Sequence, residues 1–249
     1  MARYRATVEY DGGNYCGFQR QVASQPTIQG ELERALGNIA AHPVGVTGAG
    51  RTDSGVHARG QVVTFDLAWR HGTETLQRAI NANLAADIVV ASLAEVDAYF
   101  HPRYDACRRT YEYLVYNEPV RSPLRRFYSW HVQQPLDVAA MNRAATSLVG
   151  VHNFATFGQP TQGESTVRKL FRADWRRWNE FLIFTIVGNA FLYRMVRSIV
   201  GTLKEVGAGE WTVEQFVEAL RAGERSRAAT TAPAHGLYLV SVTYDEEQV

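Results

Sequence analysis

The sequence predicts an α+β protein whose sheet is largely antiparallel. Several segments alternate apolar and polar residues with the period of two that a half-buried strand requires, and some of these segments follow one another directly along the chain. Other apolar residues recur at helical spacing. With 46% hydrophobic and 20% charged residues, the 249-residue chain is not disordered or fibrous. The length fits either one large domain or two.

The first half of the chain alternates strands with helices. Residues 3–11 alternate with a period of two and predict a strand, and Thr27 can cap a helix whose apolar face runs from Ile28 to Ile39. A glycine-rich loop at residues 45–60 follows this helix. The elements predicted next are strands at residues 61–66, 88–96 and 108–117 and a helix from Thr73.

The second half predicts the same two kinds of element. Asp137 opens a helix, and two alternating segments are joined by a turn at Asn179. Thr212 and Gln215 have the spacing of a capping box. The remaining predicted elements are strands at 167–178, 180–187 and 237–244 and a helix with a wide apolar stripe at 192–203.

Neither a membrane segment nor a metal site is expected. No apolar run approaches the roughly 18–20 residues of a spanning helix, and the first residues lack the layout of a signal peptide, so a cytoplasmic location without a membrane partner is predicted. Cys16 and Cys107 have no second cysteine or histidine at zinc-ligand spacing. We therefore expect two reduced thiols.

Positive charge is concentrated in the middle of the chain. The net charge is only +1, but residues 101–200 contain 14 Arg and Lys against 7 Asp and Glu, and 24 of the 26 basic residues of the whole chain are arginine. Arginine binds phosphate with two parallel hydrogen bonds and stacks on bases. This region is a candidate for contact with nucleic acid, although solvated sheet and helix faces would have the same composition.

The most unusual segment is GRTDSGVHA at residues 50–58, which places an acid, a guanidinium and a histidine in one glycine-rich loop. Residue types alone favour a turn in which Asp53 and Ser54 bond the local backbone. The segment is not a phosphate-binding P-loop, because no Gly-Lys-Ser/Thr follows the glycines. It resembles the active-site signature of the TruA family of tRNA pseudouridine synthases.

Further motifs that resemble this family extend over most of the chain. This sequence differs at Phe18, Arg59 and Asn153, where the family more often has Trp, a small residue and Asp. The matching segments are YDG at 10–12, GFQRQ at 17–21, TIQGELE at 27–33, FHPRYDA at 100–106, RTYEY at 109–113, NAFLYRMVRSIVG at 189–201 and APAHGLYL at 232–239.

The resemblance implies the pseudouridine synthase fold, in which two similar α/β halves with mainly antiparallel sheets flank a central basic RNA-binding cleft. Residues 1–104 would carry the Asp53 loop, and residues 105–249 the strand of Tyr111 and the helix of Arg197. The implied substrate is tRNA, modified at positions 38, 39 or 40 of the anticodon arm by a homodimer. No cofactor is needed, because uridine and pseudouridine are isomers of the same oxidation state.

The resemblance also implies roles for individual residues. Asp53 would be the nucleophile or base that attacks C1′ or C6 or abstracts a sugar proton, and Arg197 would pair with it and keep it charged. Tyr111 would stack on the uracil and assist removal of the C5 proton, although a tyrosine in cross-strand packing has the same pattern. Arg51 would hold the target nucleotide out of its helix, and Leu237 would form the floor of the uracil pocket.

RNA contacts are assigned to the basic middle of the chain and its surroundings. His57 is interpreted as a structural or RNA-proximal histidine, since the reaction needs no second base. The arginines expected to bind RNA are Arg103, Arg109, Arg126 and Arg168.

Two other functions are compatible with parts of the pattern. A non-catalytic tRNA-binding chaperone would keep the fold, but it has no chemical need for Asp53, Tyr111 and Arg197 together. A hydrolase of small glycosides with a carboxylate nucleophile would need a second acid, for which Asp66 or Glu112 could serve.

Overall fold

The computed structural model describes residues 1–21, 25–160 and 163–245. The chain divides into unit 1, Met1–Arg108 with Leu239–Val249, and unit 2, Arg109–Tyr238. It leaves unit 1 within one strand and returns within another. The boundary predicted after residue 104 lies slightly before the one after Arg108. The segment from residue 239 onward was predicted to belong to the second half.

Unit 1 combines an antiparallel sheet with two helices. In the sheet β1 lies between β3 and β4, β2 pairs with β3, and the returning part of β10 is the other neighbour of β3. These elements are β1 Ala2–Tyr10, α1 Ile28–Ala40, β2 Thr47–Gly48, β3 His57–Leu67, α2 Thr73–Asn83, β4 Ile88–Val96 and, from residue 239, β10 Leu237–Tyr244.

The alternation of β1 confirms the predicted strand, because Tyr4, Ala6, Val8 and Tyr10 are all buried. The strand at 237–244 was predicted, but its pairing with β3 was not visible in any local pattern. Gly60 of β3 approaches it so closely that a Cβ there would lie 2.3 Å from the carbonyl oxygen of a β10 residue, Val240. Pairing between segments so far apart in sequence leaves little local signal.

Unit 2 combines strands that pair mainly antiparallel with three helices among its described elements. The strand order is β5–β9–β8–β7, and the short β6 pairs in parallel with β5. Its elements are β5 Ala106–Tyr116, which begins in unit 1, β6 Trp130–His131, α3 Val138–Thr146, β7 Gly150–Asn153, β8 Val167–Trp178, β9 Phe181–Gly188, α4 Met195–Gly207 and α5 Val213–Ala222.

The predicted α+β class and the antiparallel pairing are confirmed. Asn179 turns between β8 and β9 with φ 52°, as the pattern indicated. The capping box is present, since Thr212 accepts from the Gln215 backbone N–H and the Gln215 side chain accepts from that of Thr212. Among the helices of the described ranges, none is long and apolar enough to cross a membrane.

Two elements begin several residues away from their predicted starts, and one strand was not predicted. Strand β3 begins at His57 rather than at residue 61, because Ala58 already pairs with Tyr10. Helix α4 begins at Met195 rather than at residue 192, because the preceding Arg194 is left-handed with φ 61°. The four-residue strand β7 was not predicted; it is too short to show a period.

Candidate active site

Asp53 lies in the loop between β2 and β3 of unit 1, and a buried hydrogen bond holds the preceding residue, Thr52, in place. The hydroxyls of Tyr10 and Thr52 are 2.8 Å apart, and both residues are buried. The Thr52 carbonyl oxygen accepts from the backbone N–H of Phe18 at 3.1 Å, and the Asp53 carbonyl oxygen accepts from that of Val56 at 3.1 Å. The end of β1 therefore fixes the position of the residue before the carboxylate.

Two glycines allow the segment after β1 to pack against this loop. Gly17 has φ +93°, and a Cβ on it would lie 2.7 Å from the Thr52 carbonyl oxygen. A Cβ on Gly12 would lie 2.0 Å from the carbonyl oxygen of Val56. Because such distances are too short for any side chain, glycine is required at both positions.

His57 is a buried structural histidine at the start of β3. Its Nδ1 accepts from the backbone N–H of Gly12 at 3.1 Å and lies 3.0 Å from Oδ1 of Asp11. His57, on the C-terminal side of Asp53, therefore links the start of β3 to the segment after β1, as Thr52 does on the N-terminal side. These contacts agree with a structural role for His57, which is one of the two roles predicted for it.

Arg51 is an exposed residue of the loop. Its Nε donates to Oε1 of Gln19 at 3.0 Å, while the carbonyl oxygen of the preceding Gly50 accepts from the side chain of the buried Gln61 at 3.0 Å. The backbone before Arg51 is therefore fixed, while its guanidinium is accessible from solvent.

Tyr111 lies in β5 of unit 2 and faces the buried side of that sheet. It pairs in register with Ile186, and its ring meets Phe191 edge to face, with centroids 5.0 Å apart and an interplanar angle of 79°. The Phe191 contact holds the Tyr111 ring in one orientation.

Arg197 lies on the first turn of α4, within a largely buried helix. Its Nε donates to the carbonyl oxygen of Ala232 at 2.9 Å, and the Ala232 backbone N–H donates to the Arg197 carbonyl oxygen at 3.0 Å. A Cβ on Gly201 would lie 1.9 Å from the carbonyl oxygen of Thr230, so this segment runs directly along the helix. The guanidinium is thereby fixed at one end.

Tyr113 is a common neighbour of Arg197 and of the turn before Leu237. Burial raises the pKa of the Tyr113 phenol, and the positive charge of Arg197 partly opposes that rise. The hydroxyl donates to the Pro233 carbonyl oxygen at 2.8 Å, and a Cβ on Gly236 would lie 2.7 Å from the ring. Leu237, buried at the start of β10, follows directly.

The arginines expected to bind RNA have different surroundings. Arg126 is exposed with its guanidinium 4.3 Å from the ring centroid of Phe127, and Arg103 lies in unit 1. Arg109 donates to the carbonyl oxygen of Asn189 at 2.6 Å. Arg168 donates to the carbonyl oxygens of Ser165 and Val167, and burial lowers the pKa of its guanidinium.

Sequence reasoning assigned no role to Tyr10, which the structure places on Thr52. The available signal was its position as the last inward residue of β1, because a buried tyrosine hydroxyl usually finds a hydrogen-bond partner.

Asp53 and Arg51 share a loop of unit 1, and Tyr111, Arg197 and Leu237 belong to unit 2. Within the described ranges, no group of three His, Cys, Asp or Glu could hold a metal ion.

Comparison with known proteins agrees with the motifs. A family model described as tRNA pseudouridine synthase matches residues 6–105 and 144–245. The tRNA pseudouridine synthase A of Pseudothermotoga lettingae is 43% identical over 246 residues, covering 98% of this chain and all of that protein. The enzyme of the same name from Halalkalibacterium halodurans is 46% identical over 240 residues, covering 95% and 90%. That from Pseudomonas aeruginosa is 43% identical over 249 residues, covering 99% and 87%. With nearly its whole length matched in this way, the chain belongs to the tRNA pseudouridine synthase family.

Proposed function

We propose that this chain isomerises uridine to pseudouridine at positions 38, 39 or 40 of the tRNA anticodon stem-loop, with the Asp53 carboxylate as nucleophile. Membership of the family makes it an isomerase of uridine in tRNA. The observation that supports Asp53 is its loop, in which the buried Tyr10–Thr52 hydrogen bond fixes the residue before it. A nucleophile held in one place reacts without first losing conformational freedom.

The reaction breaks the bond between N1 and C1′, turns the base, and forms a bond between C5 and C1′. The proton leaves C5 and one is gained at N1, so no electrons enter or leave. A carboxylate that bonds covalently to the substrate divides this difficult exchange into two easier steps. Asp53 supplies the carboxylate, and the chemistry requires no cofactor.

The other residues support this step. Arg197 balances the charge of the carboxylate, Tyr111 stacks on the uracil and assists transfer of the C5 proton, and Leu237 provides an apolar floor. Arg51 holds the target nucleotide out of its helix, because an extruded base loses a few kcal/mol of stacking and pairing that new contacts must replace. Support comes from the fixed guanidinium of Arg197 and the edge-to-face contact of Tyr111.

The proposed partner is the anticodon arm, bound by a homodimer in the cytoplasm, where tRNA is found. Structured RNA is recognised mainly through its shape and its phosphates. Surface arginine is suited to such contacts. The proposed set comprises Arg103, Arg109, Arg126 and Arg168.

The alternatives have less support. The matched relatives are named synthases, and no comparison favours a chaperone. The acids that a glycoside hydrolase would need are both in ion pairs, Asp66 with Arg3 at 2.8 Å and Glu112 with Arg176 at 3.3 Å. An acid engaged in this way is less available to protonate a leaving group.

The test is release of tritium from a tRNA transcript labelled at C5 of uridine. The wild-type protein should release tritium, while Asp53→Asn and Asp53→Ala should release none and still bind tRNA. Asp66→Asn is the matched control, since it neutralises another aspartate of unit 1 that lies in a partly exposed ion pair. Activity of either Asp53 variant would exclude the mechanism. A wild-type protein that binds tRNA but releases no tritium would support the chaperone.

A further inference from the structure

The segment between β4 and β5 of unit 1 exposes two large aromatic side chains. Tyr99 is 92% exposed and Tyr104 is 72% exposed. Neither residue has a role in the proposed mechanism. An exposed tyrosine indicates a binding site only where the surrounding structure holds it in place, because single apolar residues are common on protein surfaces.

The backbone around Tyr104 is fixed by the side chain of His101. Its Nδ1 accepts from the backbone N–H of Arg103 at 3.1 Å and from that of Tyr104 at 3.3 Å. In addition, the His101 backbone N–H donates to Oδ2 of Asp105 at 2.8 Å. Three hydrogen bonds therefore close this turn from within.

The same segment is anchored to the core of unit 1. The buried Phe100 packs on Tyr244, with ring centroids 5.0 Å apart, and the Tyr244 hydroxyl donates to the carbonyl oxygen of Pro102 at 2.7 Å. Arg3 donates to the Phe100 carbonyl oxygen at 3.3 Å. The turn that carries Tyr104 is consequently attached on both sides of His101.

The ring of Tyr104 already packs against the ring of His101. Its centroid lies 4.2 Å from that of His101, with 32° between the planes, and the Arg103 guanidinium lies 5.9 Å from the same ring. Tyr99 has no such ring contact within the described residues. Of the two exposed tyrosines, only Tyr104 is oriented before any ligand binds.

We propose that the Tyr104 ring is a stacking site for an unpaired nucleobase of the bound tRNA. This inference rests on the proposed function. An oriented, exposed ring binds a base at little entropic cost, and base–aromatic stacking tolerates any base because each has a π-face. The adjacent Arg103 adds a positive charge suited to a nearby phosphate.

The surroundings favour RNA over a protein partner. A protein interface needs an apolar core excluded from water, whereas the neighbours of Tyr104 in this turn are His101, Arg103 and Asp105. A single ring with a cation beside it matches the chemistry of a nucleotide, which combines a flat base with an anionic phosphate.

The experiment measures binding of a fluorescein-labelled, unmodified tRNA transcript by anisotropy at constant salt. Tyr104→Ala should raise Kd by about 5- to 150-fold, which is the range for loss of one stacked base. Tyr104→Phe keeps the ring and should stay within about 2-fold of wild type, and Tyr104→Leu, which keeps apolar bulk without a π-face, should match Tyr104→Ala. Tyr99→Ala, from the same segment, is the matched control and should not change Kd.

Salt dependence separates stacking from charge. The slope of log Kd against log salt should be unchanged in Tyr104→Ala, because a neutral ring releases no counterions, while Arg103→Gln should reduce it by about 1. Unchanged binding by Tyr104→Ala, or equal losses in Tyr104→Phe and Tyr104→Ala, would overturn the stacking site. Full binding by Tyr104→Leu would do so too.

Tritium release by the wild-type protein on the same transcript distinguishes failure of this inference from failure of the proposed function. Turnover by the wild type together with normal binding by Tyr104→Ala removes only the stacking site. Absence of turnover with the Tyr104 effect intact removes only the proposed function. If the wild type does not bind tRNA, both are wrong.

Discussion

The Tyr10 hydroxyl and Oγ1 of Thr52 lie 2.8 Å apart in a buried hydrogen bond between the last residue of β1 and the residue before Asp53. A bond of this kind restrains a loop without occupying the site that the loop serves. Its contribution can be measured separately from that of the carboxylate.

Tyr10→Phe should lower the unfolding free energy by about 1–2 kcal/mol, because it leaves the buried Thr52 hydroxyl without this partner. It should also lower kcat for tritium release while KM changes little, since the loop loses a restraint and the RNA contacts stay. Urea unfolding and steady-state kinetics test the two effects.

The matched control is Tyr4→Phe. Tyr4 is buried on the same face of β1 and stacks on Phe65, and within the described residues its hydroxyl makes no hydrogen bond. It should keep full activity. Equal activity and equal stability of the Tyr10 and Tyr4 variants would show that the Tyr10–Thr52 bond does not position the loop.

Gly17→Ala should disturb the Asp53 loop by steric force. The positive φ alone costs about 1–2 kcal/mol for a residue with a Cβ, and the new Cβ would lie 2.7 Å from the Thr52 carbonyl oxygen. We expect a loss of stability greater than 1 kcal/mol and a fall in kcat. Gly45→Ala is the control, since no atom lies within 4 Å of its added Cβ. A fully active, stable Gly17→Ala protein would contradict the packing described.

Arg197→Met should reduce kcat/KM by about 100-fold or more, the scale for removing one charge-stabilising group from an active site. Arg197→Lys should recover only part of the loss, because an ammonium cannot reproduce the fixed Nε bond to Ala232. Arg221→Met, on the exposed side of α5, provides a control for loss of an arginine in unit 2. Activity near wild type in Arg197→Met would show that the guanidinium has no part in the reaction.

Arg126→Gln should weaken tRNA binding in a salt-dependent way. Its exposed guanidinium can release counterions on contact with phosphate, so the slope of log Kd against log salt should fall by about 1. Arg78→Gln, on α2, removes the same charge elsewhere and should leave the slope unchanged. Identical slopes for both variants would exclude Arg126 from the RNA interface.

Local patterns in the sequence predicted the elements well, because the forces that specify them act over a few residues. The alternation of β1, the Thr27 cap, whose Oγ1 accepts from the Gly30 backbone N–H, and the turn at Asn179 are examples. The motif pointed to the Asp53 loop, whose catalytic role stays a prediction. The pairing of Gly60 with β10 and the Tyr10–Thr52 bond were not predicted, since each joins segments distant in sequence.

The return of the chain to unit 1 has a consequence for biosynthesis. Residues 239–244 follow the whole of unit 2 in sequence and supply the neighbour of β3. The edge of β3, although translated early, therefore stays open until β10 emerges from the ribosome. Because an open edge is prone to pairing with other chains, the early part of this protein carries such an edge throughout the synthesis of unit 2.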